Sequence, residues 1–161
     1  MTFPIEAVRQ QFPSLATTDD SQRRIYFDNA AGTQVPRHTI DRIVDFFHRY
    51  NSNTGVFNPT SVEVDALYDA AVAAMADFLG TPDAGEVLIG ANMTTLTYQL
   101  SRSLAHQFES CDEIIISRME HEGNVSPWLQ MAEDNGLIVK WLEFDRDTWR
   151  VEPELLEPLL S

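Results

Sequence analysis

The chain has 161 residues, enough for one domain with its own core or for part of a larger domain. Hydrophobic residues make up 43% of it and charged residues 22%, which is ordinary composition for a globular protein. The formal net charge of −14 disfavours a nucleic-acid binder, and no apolar stretch approaches the length that spans a bilayer.

The first third of the chain is predicted to contain two helices, one short strand and three loops. Apolar residues recur at helical spacing in residues 3–12 and 39–49, which predicts amphipathic helices there. The apolar residues 25–27 predict a short strand. Three segments that are polar or rich in turn-forming residues predict loops at residues 17–24, 28–36 and 50–59.

A long helix is predicted next, at residues 60–79. Its start is expected to be capped by Thr60 or Ser61, with Glu63 in capping-box spacing, and Gly80 is expected to end it.

From residue 86 onward, strands and helices alternate with short connections. Strands are predicted at residues 86–89, 113–117 and 137–144, and helices after residues 90–95, at 124–135 and from 153. This order is typical of a parallel sheet with right-handed crossovers, so the predicted fold class is α/β with a mostly parallel sheet. The chain ends inside the last helical pattern, which leads us to expect a piece of a longer protein.

The segment between the first of these strands and its helix, residues 90–95, has two interpretations. Asn92, Thr94 or Thr95 simply caps the helix. Alternatively, the free amides at the helix start and the two threonine hydroxyls hold an anion such as phosphate.

His121 follows the end of the strand at 113–117 and is the second candidate site residue. An imidazole there can stack on a planar ligand, donate a proton or bind metal, or it can simply face solvent. No metal site is predicted, because the four histidines are scattered and none shows ligand spacing. The sequence also lacks a glycine fingerprint for dinucleotides, a phosphate-loop motif and a GxSxG motif.

The only cysteine, Cys111, is interpreted as a passive thiol. A lone cysteine excludes an internal disulfide and fits a reducing compartment. Since the first twelve residues also lack an apolar signal core, we expect a cytoplasmic location.

The helix start and the histidine follow neighbouring strands, because one βα unit separates Thr95 from His121. A ligand with a phosphate group and a flat ring satisfies both places, and pyridoxal 5′-phosphate (PLP) is such a ligand. Its phosphate is expected on the amides of Met93, Thr94 and Thr95, and its pyridine face under His121.

Four motifs, in the same order along the chain, resemble the N-terminal part of the class V aminotransferase family, and more narrowly its cysteine-desulfurase-like branch. They are FDNAAGTQVP, NSNTG, GANMTTLTYQLSRSL and DEIIISRMEHEGNVSPW, and the resemblance covers residues 5–160. It implies a PLP-dependent enzyme of fold-type I, with a three-layer αβα large domain of which this chain carries an incomplete part. On that basis residues 1–60 form an N-terminal segment and residues 61–161 begin the large domain.

The resemblance also implies residue roles. Met93, Thr94 and Thr95 match phosphate-binding positions, and His121 matches the catalytic histidine that stacks on the cofactor. Ala30 and Ala31 match a loop that borders the substrate. The Schiff-base lysine of the family lies beyond the matched segment, and Lys140 does not stand in a family lysine motif.

The full-length relative is expected to be a homodimer that acts on an amino acid. It removes sulfur from L-cysteine to give alanine and an enzyme persulfide, or it performs a related transamination or elimination, as a transferase or lyase. This chain alone is predicted to be inactive. The alternative is a non-catalytic α/β interaction module derived from the same fold, and an unrelated nucleotide-binding domain is disfavoured by the missing glycine motif.

Overall fold

The computed structural model describes residues 2–161, which form two compact units. The first unit ends at Val87, and the second is Leu88–Ser161. The division of the chain into segments 1–60 and 61–161 remains a prediction. The first of these segments begins at Met1, which lies outside the described residues.

The first unit contains three helices, a small hairpin and two 3-10 turns. The helices are α1 (Ile5–Arg9), α2 (Arg37–Arg49) and α3 (Pro59–Leu79), the hairpin strands are β1 (Thr18–Asp19) and β2 (Gln22–Arg23), and the 3-10 turns are Pro13–Ala16 and Ala84–Glu86. The helices at 39–49 and 60–79 are therefore confirmed, while the first helix is shorter than residues 3–12.

The ends of α3 follow from local side-chain chemistry. Its N-cap is Asn58, whose Oδ1 accepts a hydrogen bond from the Ser61 amide at 2.9 Å, so the predicted cap at Thr60 or Ser61 was wrong. The helix stops as predicted at Gly80, which has the left-handed φ of +75° that favours glycine.

Two predictions in the first unit were wrong for related reasons. Residues 17–24, predicted as a loop, contain the antiparallel hairpin, in which Asp20 and Ser21 turn the chain at φ of 47° and 66°. Residues 25–27, predicted as a strand, pair with no strand anywhere in residues 2–161, and the Phe27 side chain is 97% exposed. An apolar run becomes a strand only when a partner supplies the hydrogen bonds.

The second unit is built on a parallel strand–helix–strand crossover. Its helices are α4 (Met93–Leu104), α5 (Glu122–Asn135) and α6 (Pro153–Leu156), its strands are β3 (Glu113–Ser117) and β4 (Ile138–Leu142), and its 3-10 turns are Ala105–Gln107 and Glu157–Leu159. The two strands pair in parallel from Glu113↔Ile138 to Ser117↔Leu142, with α5 as the crossover, which confirms that part of the predicted parallel sheet.

The predicted strand at 86–89 does not form. Ala84–Glu86 is a 3-10 turn, and within the described chain no strand pairs with the residues that follow, so Leu88 stays 68% exposed. The observed architecture is therefore mixed α/β with a small sheet.

Helices α4 and α5 pack against each other, and the interior of the unit lies along α5 and β3. Buried apolar side chains come from Ile116 on β3 and from Val125, Met131 and Ala132 on α5. Helix α4 contributes small polar groups, of which Ser101 is completely buried and donates its hydroxyl hydrogen to the Tyr98 carbonyl oxygen. Small side chains on α4 allow the backbones of the two helices to approach closely.

Within the described residues, every helix is too short or too polar to cross a bilayer.

Candidate functional site

The start of α4 is a capped helix terminus that still offers free donors. The amide of Thr95 donates to Asn92 Oδ1 at 2.9 Å, so Asn92 is the cap. In the described part of the chain, the amides of Met93 and Thr94 meet no acceptor, as expected for the first turn of a helix. The capping and anion-binding interpretations are therefore compatible, although the Thr95 amide is already engaged.

His121 occupies the corresponding place at the start of α5. It is the N-cap, and its Nδ1 accepts a hydrogen bond from the Gly123 amide at 3.0 Å. Because Nδ1 is an acceptor, the proton of the neutral ring lies on Nε2. The residue is exposed, so this second nitrogen and the ring face are accessible.

Gly123 brings the two helix starts together. A Cβ atom built on it would lie 2.5 Å from Thr94 Oγ1, 3.1 Å from His121 Nδ1 and 3.4 Å from Met93 Cε. Met93, Thr94 and His121 therefore surround one point, and a glycine is needed there because of the close approach rather than the backbone angle. Two helix N-termini with their positive dipole ends converge at the same place.

Ala30 and Ala31 belong to the first unit, where they form part of a turn that follows Asp28. The Ala31 amide donates to Asp28 Oδ1 at 3.3 Å, and both alanines are exposed. Their role beside the substrate stays a prediction.

Lys140 is the only lysine in the sequence, and its side chain forms its contacts in another part of the second unit. Its Nζ lies 2.6 Å from Glu113 Oε2 and 2.9 Å from the Leu159 carbonyl oxygen. Glu113 is the first residue of β3, whereas His121 follows the end of that strand. The ammonium group is therefore held at the end of the strand opposite to His121.

This ion pair predicts an acid-sensitive contribution to stability. The hydrogen bond from Lys140 is the main cause that lowers the pKa of Glu113 in the folded chain. A lowered pKa stabilises the fold at pH values above the unfolded pKa of a glutamate, about 4.3, and this stabilisation is lost as pH falls through the folded pKa. Urea unfolding of wild type and Glu113→Gln should therefore differ at pH 7 and converge under acid conditions; a difference that grows on acidification would contradict the assignment.

A cavity of about 480 Å³ lies beside the end of β3. Polar side chains one helical turn apart line part of it: Asn124 Nδ2 donates to Glu120 Oε2 at 2.9 Å, and Trp128 Nε1 donates to Asn124 Oδ1 at 3.1 Å. The sequence analysis did not single out this row, whose first member, Glu120, lies before the start of α5. The spacing of four residues between these polar side chains was the available signal.

The described residues contain no cluster of His, Cys, Asp or Glu that is suited to hold a metal ion.

Two substitutions of His121 distinguish the contribution of its N-cap hydrogen bond from that of its imidazole ring. His121→Ala removes the acceptor of the Gly123 amide and should lower the free energy of unfolding by about 1 kcal/mol. His121→Asn supplies a side-chain oxygen in the same place and should lower it by only a few tenths. Chemical denaturation of both variants gives the comparison, and equal losses would show that the side chain does not act as the cap.

Solved structures identify the fold. The chain superposes on the cysteine desulfurase CsdA from Escherichia coli with a TM-score of 0.79 and 26% identity, over all of this chain and 39% of that one. It also superposes, at 21% identity and a TM-score of 0.77, on a C-DES mutant that carries glycine covalently linked to PLP, over 95% of this chain and 38% of that one. The fold is that of part of the fold-type I PLP-dependent enzymes.

The sequence identifies the family. The Aminotransferase class-V model matches residues 25–161, and the chain belongs to this family. A cysteine desulfurase of Serratia proteamaculans is 32% identical over 96% of this chain and 37% of its own length. The chain thus spans less than two fifths of the length of the curated relatives it matches.

Proposed function

We propose that this chain is the N-terminal part of a PLP-dependent, cysteine-desulfurase-like enzyme that acts on an amino acid. The observation that supports the proposal is the arrangement at Gly123, where Thr94 and His121 meet. The class V family match agrees with it.

The residues at the start of α4 fit a phosphate group. The Met93 and Thr94 amides are free donors, Thr94 and Thr95 are exposed residues that each carry a hydroxyl, and the helix dipole favours an anion at this end. No carboxylate stands among these residues to repel a phosphate. Met93, Thr94 and Thr95 would hold the phosphate of PLP.

His121 would lie against the pyridine ring of the same cofactor. When bound, PLP supplies an electron sink for bond cleavage at the substrate amino acid. The hydrogen bond between Nδ1 and the Gly123 amide fixes the orientation of the ring, and Nε2 is left to hold or transfer a proton. In this proposal His121 is therefore both a cofactor-binding and a catalytic residue.

Other parts of the proposal concern the longer protein. A lysine outside this chain anchors the cofactor, because Lys140 is engaged by Glu113 and Leu159. We further propose a three-layer αβα large domain beginning at residue 61, Ala30 and Ala31 beside the substrate, a homodimer and a cytoplasmic location. The reaction is desulfuration of L-cysteine or a related transamination or elimination, and this chain alone is inactive.

PLP binding to the 161-residue chain tests the proposal. Calorimetry should detect saturable binding to wild type, weakened about tenfold or more by Thr94→Val, which removes one hydroxyl donor from the site. His106→Asn, a change at an exposed histidine near the other end of α4, should leave the affinity within twofold. Absence of binding, or an unchanged affinity in Thr94→Val, would overturn the assignment.

Borohydride reduction tests the missing anchor separately. Mass spectrometry of the reduced mixture of chain and PLP should find Lys140 unmodified, because a protonated, ion-paired amine is a poor nucleophile. A stoichiometric adduct on Lys140 would contradict the claim that the anchoring lysine lies elsewhere.

A non-catalytic interaction module is the second candidate function. It is favoured by large exposed apolar side chains in the first unit, among them Phe27, Phe57 and Phe78. A chain that self-associates in sedimentation experiments and does not bind PLP would support it over the enzyme fragment.

A further inference from the structure

Arginines of the first unit gather around two adjoining cavities. Arg9, Arg23 and Arg37 line the first, which has a volume of about 380 Å³. Arg9 and Arg23 also line the second, of about 320 Å³, together with Arg24. These four are among the six arginines that precede Leu88, and they belong to α1, to β2 and the residue after it, and to the start of α2.

This cluster of arginines contrasts with the negative net charge of the rest of the first unit. Twelve acidic residues precede Leu88, but Glu6 is the only one that lines either cavity. Arg24 pairs with Asp19, whereas Arg9, Arg23 and Arg37 form no ion pair with any residue in the described chain. Three arginines therefore line one cavity with little compensating charge in its lining.

The start of α2 adds to the excess of positive charge. Arg37 is the first residue of this 13-residue helix, whose first turn contains no acidic residue and, as far as residues 2–161 show, receives no side-chain cap. A cation at the positive end of a helix dipole is unfavourable, and a bound anion reverses that effect. The Arg37 amide donates to the Gln11 carbonyl oxygen at 2.7 Å, which fixes the helix start beside the segment after α1.

We propose that Arg9, Arg23 and Arg37 bind a small organic polyanion, with phosphate or carboxylate groups, in these cavities. Guanidinium groups recognise both kinds of group through paired hydrogen bonds. Phe12, Pro13 and Leu15 provide an apolar wall for the carbon skeleton of the ligand. A volume near 380 Å³ suits a small metabolite. This site is independent of the PLP site proposed at α4 and α5.

Titrations with fructose 1,6-bisphosphate and with citrate test the proposal and distinguish phosphate from carboxylate. Calorimetry of the 161-residue chain should show saturable binding of at least one of them. The double variant Arg9→Gln/Arg23→Gln should weaken it about tenfold or more, since charge-assisted hydrogen bonds are lost. Arg42→Gln/Arg49→Gln removes the same charge from α2 away from the cavities and should change the affinity less than twofold.

NMR and thermal unfolding complete the test without relying on the variants. Arginine Nε–H signals of residues 9, 23 and 37 should shift on titration, and the ligand should raise the melting temperature of wild type.

Equal losses in the two double variants would reveal a general charge effect and overturn the proposal. Absence of binding at 10 mM, or binding of hexaglutamate peptide but neither small anion, would overturn it as well.

Discussion

Replacing Gly123 with alanine should lower the free energy of unfolding by about 1–3 kcal/mol, the cost typical of overpacking in a closely packed contact. The new methyl carbon would lie 2.5 Å from Thr94 Oγ1, a distance at which the Thr94 side chain or the helix start that carries it must move. Alanine favours a helix over glycine by up to about 1 kcal/mol, but this gain is smaller than the cost of separating α4 from α5.

A double-mutant cycle makes this prediction specific. Thr94→Ala removes the hydroxyl that the new methyl group would strike, so Gly123→Ala should cost less in the Thr94→Ala background than in wild type. Gly32→Ala is the matched control, because in the described structure no atom lies within 4 Å of its added Cβ and its φ is not positive. Urea unfolding followed by circular dichroism measures the four chains of the cycle and the control, and a neutral Gly123→Ala would show that the helix starts are not in contact.

The same substitution should also weaken PLP binding, if the cofactor sits where we propose. Displacing Thr94 moves a phosphate donor, while the His121 ring is pushed by the same methyl group. Small displacements of positioning groups have large effects on a preformed site. The PLP titration described above should therefore fail or weaken strongly in Gly123→Ala, and full affinity would argue against a cofactor at this point.

Met131→Ala should have the largest effect on stability of any single change considered, about 2–5 kcal/mol, because it creates a cavity in the interior. The Met131 side chain is only 2% exposed on α5. Met119→Ala is the control within the same unit. That side chain is 46% exposed, so its removal should change the free energy of unfolding by no more than about 0.5 kcal/mol.

Met131→Leu separates volume from chemistry. Leucine nearly conserves the apolar volume, so the cost should fall below about 1.5 kcal/mol. If Met131→Ala and Met119→Ala cost the same in denaturant titrations, the interior assigned to the second unit is wrong.

Local sequence signals were sufficient for the helices. The cores of α2, α3, α4 and α5 were predicted, because helical periodicity, capping side chains and a terminal glycine all act within a few residues. The parallel pair β3 and β4 was also predicted, since the crossover helix between them is visible in the pattern.

Strands depended on hydrogen-bonding partners that lie elsewhere in the chain. Residues 25–27 and 86–89 have the composition of strands, but a strand forms only where another backbone satisfies its hydrogen bonds. The hairpin at 18–23 was missed because its strands are two polar residues each, too short for an alternating pattern.

The candidate site shows the same division. The amino-acid order alone determined that a polar helix start carries Thr94, that His121 follows an apolar run, and that Lys140 is the only lysine of this chain. Only the tertiary structure decided that Thr94 and His121 meet at Gly123. It also decided that Asn92 accepts a hydrogen bond from the Thr95 amide and that Lys140 pairs with Glu113. The physical reason is that each residue type supplies its hydrogen-bond donor or aromatic ring by itself. The distances between these groups are set by the packing of α4 against α5 over β3.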